Sequence, residues 1–322
     1  MEGWRGTVEK DRTIMKTDID ILKELKGYFK GDLRLNEDMS SHTTLRIGGL
    51  ADIYAIPDDV LSLKNILIYL SDKGIPVTPL GGGSNILVSD SGIDGAVISS
   101  LSLKRIEVIG NSDVVRLFVE SGTPLQSLLN ISKEEGLSGL EGLAGIPGTL
   151  GGAVKGNAGS FGMEIGNVIE SIALMDLRGN ISIINREDIG FRYRGSEIPE
   201  GIVLSAIVRL KRDDPQEVAK RINSFHDEKR EKQPLTLRSA GCVFKNPARA
   251  GLTAGRLIDE AGCKGMERGD IVVSTQHANF FINRGKGRAS DFLSLMNEVK
   301  ERVLSYSGIE LEPEIRIIGR IC

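Results

Sequence analysis

The sequence contains few of the residues that build metal centres or disulfide frameworks. It has three cysteines and three histidines among 322 residues. The cysteines, Cys242, Cys263 and Cys322, form an odd set without metal-ligand spacing, which suits a reducing compartment better than a disulfide framework. The histidines lie far apart in the sequence and form no recognisable metal motif. We therefore predict that the protein holds no metal.

Long hydrophobic runs and an excess of positive charge are also missing. Charge or glycine interrupts every apolar stretch before it reaches the roughly 20 residues that span a membrane. Charged residues rather than an apolar segment follow the start of the chain, so no secretory signal is visible. The net charge is −3, and no basic stripe with interleaved aromatic residues indicates a nucleic-acid partner. We expect a cytoplasmic globular protein, a monomer or weak oligomer, without nucleic-acid or membrane partners.

Glycine, by contrast, is abundant, with 39 residues. Two segments concentrate it: residues 139–162, and the loop Gly81-Gly82-Gly83-Ser84-Asn85 between two apolar runs. Bare backbone at such density favours close approach to a phosphate or a flat ring, although two tight turns in a glycine-rich fold remain the alternative. Neither segment is the Rossmann fingerprint or a Walker loop. The glycine segments alone therefore indicate a ligand that contains phosphate, and the presence of two such segments favours a dinucleotide.

Hydrophobic periodicity predicts an α+β protein, because helices and strands mix without a βαβ rhythm. The spacing predicts helices over 18–29, 58–72, 215–232, 254–261 and 289–305, and strands over 202–210 and 311–318. A hairpin is expected over 169–185. The charged, turn-rich tract 211–215 reads as a domain boundary. We therefore divide the chain into a lead-in (1–42), a cofactor domain (43–212) and a substrate domain (213–322).

Several blocks resemble the UDP-N-acetylenolpyruvoylglucosamine reductase (MurB) family, and they follow one another in the family's order. They are Thr43–Gly49, Leu80–Val88, Gly145–Gly162, Phe191–Ser196, Ser239–Pro247 and Leu311–Arg316. The resemblance runs from about residue 36 to residue 319. It implies a FAD-binding domain of the vanillyl-alcohol-oxidase-like (PCMH) type and a separate α+β C-terminal domain for a UDP-sugar. The short interval between Ser196 and Ser239 resembles the subclass without an extra tyrosine-bearing loop.

The resemblance also implies the cofactors and the residues that hold them. FAD is expected to bind without a covalent tether, since no histidine lies in the first glycine loop, and NADPH is the expected co-substrate. The implied FAD-binding residues are Arg46, Ile47, Gly81, Gly82, Gly83, Ser84, Asn85, Gly122, Pro147, Gly148, Thr149, Gly151, Gly152 and Asn157. The implied reaction reduces the enolpyruvyl ether of UDP-N-acetylglucosamine to the lactyl ether, UDP-N-acetylmuramate, in peptidoglycan precursor synthesis.

Three residues are implied to be catalytic. Arg194 would bind the enolpyruvyl carboxylate, for which a planar guanidinium is suited, although a surface arginine in a polar turn would look the same in sequence. Glu314 would help to stabilise the developing charge. Because Glu314 and Arg316 share one face of a predicted strand, a surface ion pair between them is the alternative.

Cys242 is the third, and here the chain departs from the family, which usually has serine as the acid that protonates the substrate carbon. An unperturbed thiol has a pKa near 8.5, so it is protonated at neutral pH and is a stronger acid than an alcohol. A small buried thiol with only a packing role is the alternative. Ser239 is a further candidate donor, out of register with the motif.

Eight residues are implied to contact the sugar nucleotide: Tyr193, Arg230, Lys232, Lys245, Asn246, His277, Asn279 and Arg316. His277 could equally be a structural imidazole, and Arg230 and Lys232 a solvated helix end. Two functions other than the reductase are compatible with the sequence. One is a flavin oxidase of the same fold, and the other is a flavin- or nucleotide-binding module without activity.

Overall fold

The computed structural model describes residues 24, 25, 27, 29–110, 113–248 and 251–320. The helix predicted over 18–29 falls mostly outside these residues. The described helices are α1 (Val60–Asp72), α2 (Leu125–Glu135), α3 (Leu150–Gly156), α4 (Pro215–Lys232), α5 (Ala254–Glu260) and α6 (Ala289–Ser307). The strands that precede the glycine segment 139–162 are β1 (Gly31–Asp38), β2 (Leu50–Pro57), β3 (Val77–Leu80), β4 (Ile86–Val88), β5 (Ile93–Ser99), β6 (Ile106–Ile109), β7 (Val114–Glu120) and β8 (Leu137–Ser138).

The remaining strands complete a mixed α+β architecture, as the sequence predicts. They are β9 (Gly159–Ser160), β10 (Met163–Glu164), β11 (Ile169–Met175), β12 (Ile181–Asn185), β13 (Ile202–Arg212), β14 (Glu267–Arg268), β15 (Ile271–Val273), β16 (Phe281–Asn283) and β17 (Arg316–Ile318). Three sheets have the orders β1-β2-β5-β3, β12-β11-β13-β7-β6 and β14-β15-β16. Two further pairs, β9 with β10 and β4 with β17, lie outside them.

Helix α1 covers the first sheet, and local capping starts it. The Asp59 carboxylate accepts a hydrogen bond from the Ser62 backbone N–H at 2.7 Å, so the N-cap is Asp59 and not the expected Asp58. Leu63, Ile66 and Leu70 follow at helical spacing and are buried in one cluster with the residues of β2 and β5. Their burial supplies the packing that holds the helix on the sheet.

The second sheet contains the predicted hairpin. Strands β11 and β12 pair antiparallel, and the Asp176 carboxylate accepts hydrogen bonds from the backbone N–H groups of Arg178 and Asn180 at 2.8 and 2.9 Å. Asp176 therefore fixes the turn. One face of the second sheet packs against α2 and α4 in a single hydrophobic cluster.

Helix α4 bears on the predicted domain boundary. Its buried residues Val218 and Ile222 belong to the same hydrophobic cluster as α2 and the second sheet. A division after residue 212 therefore separates this helix from the core on which it packs. The Asp214 carboxylate caps the helix by accepting from the Gln216 and Glu217 N–H groups at 2.8 and 3.1 Å.

The C-terminal unit has its own core around Phe244, Phe281 and Phe292. The chain then returns to the first domain, because β17 pairs in parallel with β4, directly after the first glycine loop. The strand predicted over 311–318 is wrong in its first half: only residues 316–318 are extended in a ladder. Pro313 supplies no N–H for a ladder and forms a single isolated bridge with Phe244.

Candidate active site

The two glycine segments lie against each other at one place in the fold. Ser84 Oγ donates to the Pro147 carbonyl at 3.1 Å. A Cβ added at Gly82 would lie 3.0 Å from Gly148 Cα, and one added at Gly81 would lie 2.7 Å from Thr149 Oγ1. Glycine at these positions therefore lets one loop approach the other, and the two segments form a single cradle.

Two other glycines among the predicted FAD-binding residues, Gly83 and Gly122, are needed for backbone packing. A Cβ would lie 2.0 Å from the His42 carbonyl oxygen at Gly83, and 1.9 Å from the Ser100 carbonyl oxygen at Gly122. Gly152 differs, since its added Cβ would meet only Thr149 Oγ1, at 3.8 Å. The tight-turn interpretation thus explains part of the glycine content, and Gly152 faces the open part of the cradle.

Three buried hydroxyl groups in this region lack a hydrogen-bond partner in the described protein: those of Ser121, Thr123 and Thr149. Thr149 occupies the N-cap position of α3 and yet caps no backbone N–H there. An unsatisfied buried polar group costs about 1–3 kcal/mol, which a ligand with oxygen acceptors would remove. The cradle therefore fits a cofactor rich in phosphate and hydroxyl groups, as FAD is.

The side chains of two predicted FAD-binding residues are engaged within the protein. Asn157 is buried, and its Nδ2 donates to Glu164 Oε2 at 2.6 Å and to the Arg192 carbonyl at 3.0 Å, while its Oδ1 accepts from the Gly166 N–H. Its amide groups are therefore already engaged within the protein. The Ile47 side chain is buried in the hydrophobic cluster of the C-terminal core.

Two more of the predicted FAD-binding residues, Arg46 and Asn85, form hydrogen bonds within the protein. Arg46 is exposed and donates through Nη1 to the Ser41 carbonyl at 3.1 Å. Asn85 connects the first glycine loop to the C-terminal segment, since its Nδ2 donates to the Glu314 carbonyl at 3.2 Å and its own carbonyl accepts from the Arg316 N–H at 3.1 Å. This connection places the Glu314 backbone beside the cradle.

Arg194 projects from a tight turn. The backbone groups of Arg192 and Gly195 exchange two hydrogen bonds of 3.0 Å, and Arg194 at the tip has φ of +55°, a left-handed conformation that a non-glycine residue rarely adopts. Its Nη1 donates to the Gly159 carbonyl at 2.8 Å, and its Nε lies 2.9 Å from Glu314 Oε1. That contact is an ion pair without good hydrogen-bond alignment, because the Nε–H still lacks a hydrogen-bond acceptor.

Glu314 is held between two domains and is only partly accessible, with 16% of its side chain exposed. Burial raises the pKa of its carboxyl, whereas the charges of Arg194 and Lys245 act in the opposite direction. The alternative surface ion pair with Arg316 is wrong, because the partner of Glu314 is Arg194 and Arg316 is exposed to solvent.

Cys242 lies in the C-terminal unit beside the same pair, because the Glu314 N–H donates to the carbonyl of the adjacent Val243 at 2.8 Å. Its bridge with Phe280 and the hydrogen bond from the Val243 N–H to the Asn279 carbonyl hold its segment. Burial raises the pKa of the thiol to about 12, with Glu314 adding to the shift, while Arg194, Lys229 and Asn279 oppose it. The thiol is therefore fully protonated at neutral pH, and it is a weaker acid than an unperturbed thiol.

Asn279, predicted to contact the sugar, is hydrogen-bonded to the backbone of Phe244. Its Nδ2 donates to the Phe244 carbonyl at 2.7 Å, and its Oδ1 accepts from the Phe244 N–H at 2.9 Å. Both ends of this buried amide therefore clamp the segment that carries Cys242.

Lys229 is a residue of this site that the sequence analysis missed. It is 7% exposed, and its Nζ donates to the Ala144 carbonyl at 2.7 Å. The available signal was the helical phase: Val218, Ile222 and Phe225 precede it at the spacing of one buried stripe. Arg230 and Lys232, which were considered instead, lie on exposed faces, and Lys232 pairs with Glu228 at 2.7 Å.

The other predicted substrate residues are half-buried or exposed. Tyr193 is 48% exposed and stacks under the Arg194 guanidinium at 5.4 Å. Lys245 pairs with Glu312 at 3.0 Å, and Asn246 Oδ1 accepts from the Ala254 N–H at 3.0 Å. His277 is half-buried and its Nδ1 lacks a hydrogen-bond partner in the described protein.

Among the described residues there is neither a candidate metal site nor a candidate membrane-spanning helix. No three His, Cys, Asp or Glu side chains in this part of the chain converge as metal ligands do. None of the helices that the structure describes combines the length and apolar character needed to cross a membrane.

Comparison with known proteins gives two domain matches. Residues 233–318 match the family model described as the C-terminal domain of UDP-N-acetylenolpyruvoylglucosamine reductase. Residues 51–185 match an FAD-binding domain model. The cofactor domain is therefore an FAD-binding domain, and a separate C-terminal domain follows it.

Full-length relatives support the same assignment. The chain is 40% identical over 301 residues to the UDP-N-acetylenolpyruvoylglucosamine reductase of Geotalea uraniireducens, covering 93% of this chain and 98% of that protein. It is 40% identical over 303 residues to the reductase of the same name from Caldanaerobacter subterraneus, covering 94% and 98%. The crystal structure of the reductase from Thermus caldophilus superposes with a TM-score of 0.77 at 36% identity, covering 90% of this chain and 99% of that one.

Proposed function

The chain belongs to the UDP-N-acetylenolpyruvoylglucosamine reductase family, and on that premise we propose that it reduces the enolpyruvyl group of a UDP-N-acetylglucosamine ether to the lactyl group, with NADPH as reductant. The observation that carries the proposal is the convergence of Arg194, Glu314 and Cys242 beside the glycine cradle. These residues come from two domains, and Nε of Arg194 lies 2.9 Å from the Glu314 carboxylate. Bound FAD supplies the hydride chemistry, which no side chain of the protein provides.

Arg194 and Glu314 stabilise the negative charge of the substrate. The guanidinium of Arg194 binds the enolpyruvyl carboxylate in its planar fork, which brings that carboxylate next to Glu314. Burial already raises the pKa of Glu314. When Arg194 turns to the substrate, Glu314 loses part of the interaction that favours its charged form, so its pKa rises further. In its protonated form the carboxyl donates a hydrogen bond to the enolate oxygen.

Cys242 acts as the acid that protonates substrate C2. Its raised pKa, about 12, keeps the proton on Sγ at neutral pH until the substrate carbon becomes basic. Asn279 and Phe280 hold the segment that carries it. Serine, the residue usual in the family, would be a still weaker acid, so the replacement preserves the role.

The substrate domain begins after α4 in this proposal. Val218 and Ile222 place that helix with the core of the FAD-binding domain. The UDP-sugar then lies between the two domains, with Lys245, Asn246 and His277 contributed by the C-terminal one and Tyr193 by the other. We place the enzyme in the cytoplasm as a monomer or weak oligomer.

Stopped-flow absorbance at the flavin band tests the function. Rapid bleaching by NADPH, slow recovery in air and fast recovery with the enolpyruvyl sugar nucleotide are the expected results. Fast recovery in air alone would instead indicate a flavin oxidase. No bleaching by NADPH would indicate a binding module without this activity.

A further inference from the structure

Lys229 is a lysine in a position where lysine is rare. It continues the buried stripe of α4, and its side chain is buried beneath the second glycine segment, where a Cβ at Gly145 would lie 3.1 Å from Lys229 Cδ. Lysine is almost never fully buried without a partner, because its ammonium loses its hydration there. A buried lysine in a catalytic centre therefore requires an explanation.

The surroundings of the ammonium provide only part of the compensation. Nζ donates to the Ala144 carbonyl at 2.7 Å and lies 5.6 Å from the centre of the Phe161 ring. An ammonium has three donors, so further donors remain available. Within the described residues, no Asp or Glu forms an ion pair with it; the charged or titratable groups that act on it are Arg194 and Cys242.

Contacts within the site place Lys229, Arg194 and Cys242 in one cluster. Lys229 Nζ lies over Phe161, and Arg194 donates to the nearby Gly159 carbonyl at 2.8 Å. Arg194 pairs with Glu314, whose backbone N–H donates to the carbonyl of Val243, the neighbour of Cys242, at 2.8 Å.

The electrostatic effects of these groups are reciprocal. Burial and the Arg194 charge lower the pKa of Lys229 to about 8, while a Cys242 thiolate would raise it. Conversely, burial and Glu314 raise the pKa of the Cys242 thiol, and the charges of Arg194 and Lys229 lower it. The ammonium and the thiolate thus stabilise each other in a region with little solvent.

We propose that Lys229 is a positioning residue for the acid Cys242, and this inference rests on the proposed function of that thiol. As the S–H bond of Cys242 breaks and the C2–H bond of the substrate forms, a thiolate is left on Sγ, and the Lys229 ammonium stabilises it. A proton from the solvent then returns to Sγ, and the ammonium keeps its own proton throughout. Atoms and charge balance at each step, and no oxidant is needed.

Thiol reactivity tests the interaction without substrate or turnover. Methyl methanethiosulfonate is added to the holoenzyme at pH 7, and modification of Cys242 is followed by mass spectrometry of its peptide. Lys229→Met should slow this modification about ten-fold, equivalent to a rise of one unit in the thiol pKa. Lys229→Arg should keep the wild-type rate, and Lys220→Met, on an exposed face of the same helix, is the matched control.

The pH dependence separates a charge effect from a packing effect. Only the wild-type lysine loses its charge as the pH rises through about 8. The ratio of the wild-type rate to the Lys229→Arg rate should therefore fall across that range, whereas a merely structural lysine would leave the ratio constant. Retained FAD content and the rescue by arginine exclude misfolding as the cause.

Flavin reoxidation tests the same charge during the reaction. Lys229→Met should slow the first flavin reoxidation by the enolpyruvyl substrate, and Lys229→Arg should recover it, because arginine keeps the positive charge. Wild-type thiol reactivity in Lys229→Met would overturn the inference. Full activity of a Cys242→Ala variant would instead overturn the proposed role of Cys242 and leave the measured thiol effect intact.

Discussion

Arg194 Nε lies 2.9 Å from Glu314 Oε1, and this contact joins the FAD-binding domain to the C-terminal domain. Each partner is held by its own backbone: Arg194 by a left-handed turn, and Glu314 by the hydrogen bond from Asn85 to its carbonyl. Holding a residue at positive φ costs of order 1–3 kcal/mol, which the surrounding structure must offset. The cost is consistent with a side chain placed for function.

Replacing Arg194 by lysine should affect one half of the reaction. The charge remains, but the planar fork that binds a carboxylate is lost, so reoxidation by the enolpyruvyl substrate should fall by roughly ten-fold or more. Single-turnover stopped flow measures it. Arg192→Lys, in the same turn but paired with the exposed Glu197, is the control. Equal losses in flavin reduction by NADPH would mean that Arg194 serves FAD binding or folding.

Glu314→Gln should leave the protein folded and yellow while slowing the same step by roughly ten-fold or more, because an amide N–H is a weaker hydrogen-bond donor to the enolate oxygen than a carboxyl O–H. Glu310→Gln, at an exposed position that pairs with Lys300, should be without effect. If the Glu314 variant lost FAD or unfolded, a structural ion pair would be the better account of this residue.

The same variant tests the raised pKa of Glu314 through stability. A carboxyl whose pKa is raised by folding stabilises the protein below its ordinary value of 4.5, and this contribution is lost as the pH rises through the folded-state pKa. Glutamine mimics the protonated form at every pH. The melting temperature of Glu314→Gln relative to wild type should therefore be higher at pH 7 than at pH 4, and the reverse order would contradict the raised pKa.

Two glycines of helix α3 test whether the cradle holds FAD. Alanine at Gly152 or Gly156 has room in the protein, since the only atom near an added Cβ is Thr149 Oγ1, 3.8 Å from that of Gly152. Each change should raise the stability of the FAD-free protein by up to about 1 kcal/mol, because alanine favours a helix. Only Gly152→Ala should weaken FAD binding, measured by flavin fluorescence during titration. Equal affinities in the two variants would place FAD elsewhere.

Local signals in the sequence predicted most of the elements that carry this site. Helix α4 begins at Pro215 and ends at Lys232 as expected, because an aspartate cap and an N-terminal proline define its start. The hairpin of β11 and β12 was predicted from its turn residues. These features depend on neighbours within a few positions, which the sequence displays directly.

The pairing inside the site could not be predicted in the same way. Arg194 reaches Glu314 only because its backbone is left-handed and because β17 returns to β4. Pro313 interrupts the strand that would have paired Glu314 with Arg316. Lys229 is one of three cations in a short charged run, and only the phase of the helix distinguishes it from Arg230 and Lys232.

Cys242 is the residue at which this chain departs from its family, and its thiol gives the sharpest test. Cys242→Ser restores the usual hydroxyl and should keep substantial activity. Cys242→Ala removes the proton source, and loss of a general acid costs about 10²–10⁴-fold in rate. That loss should appear only in reoxidation by the enolpyruvyl substrate, measured in single turnover, since flavin reduction by NADPH takes no proton from this thiol.

Two further measurements separate this role from packing. Cys263→Ala removes the other described cysteine, which is buried in the C-terminal core, and should retain turnover because Cys263 is not one of the proposed catalytic or binding residues. Because burial raises the pKa of Cys242 to about 12, alkylation of the wild type should be slow at pH 7 and should speed up about ten-fold per pH unit below that value. Bound substrate should protect the thiol, since both occupy the space beside Arg194 and Glu314. Near-normal turnover of Cys242→Ala would show that another group protonates C2, and Cys242 would then be a packing residue between Gly241 and Val243.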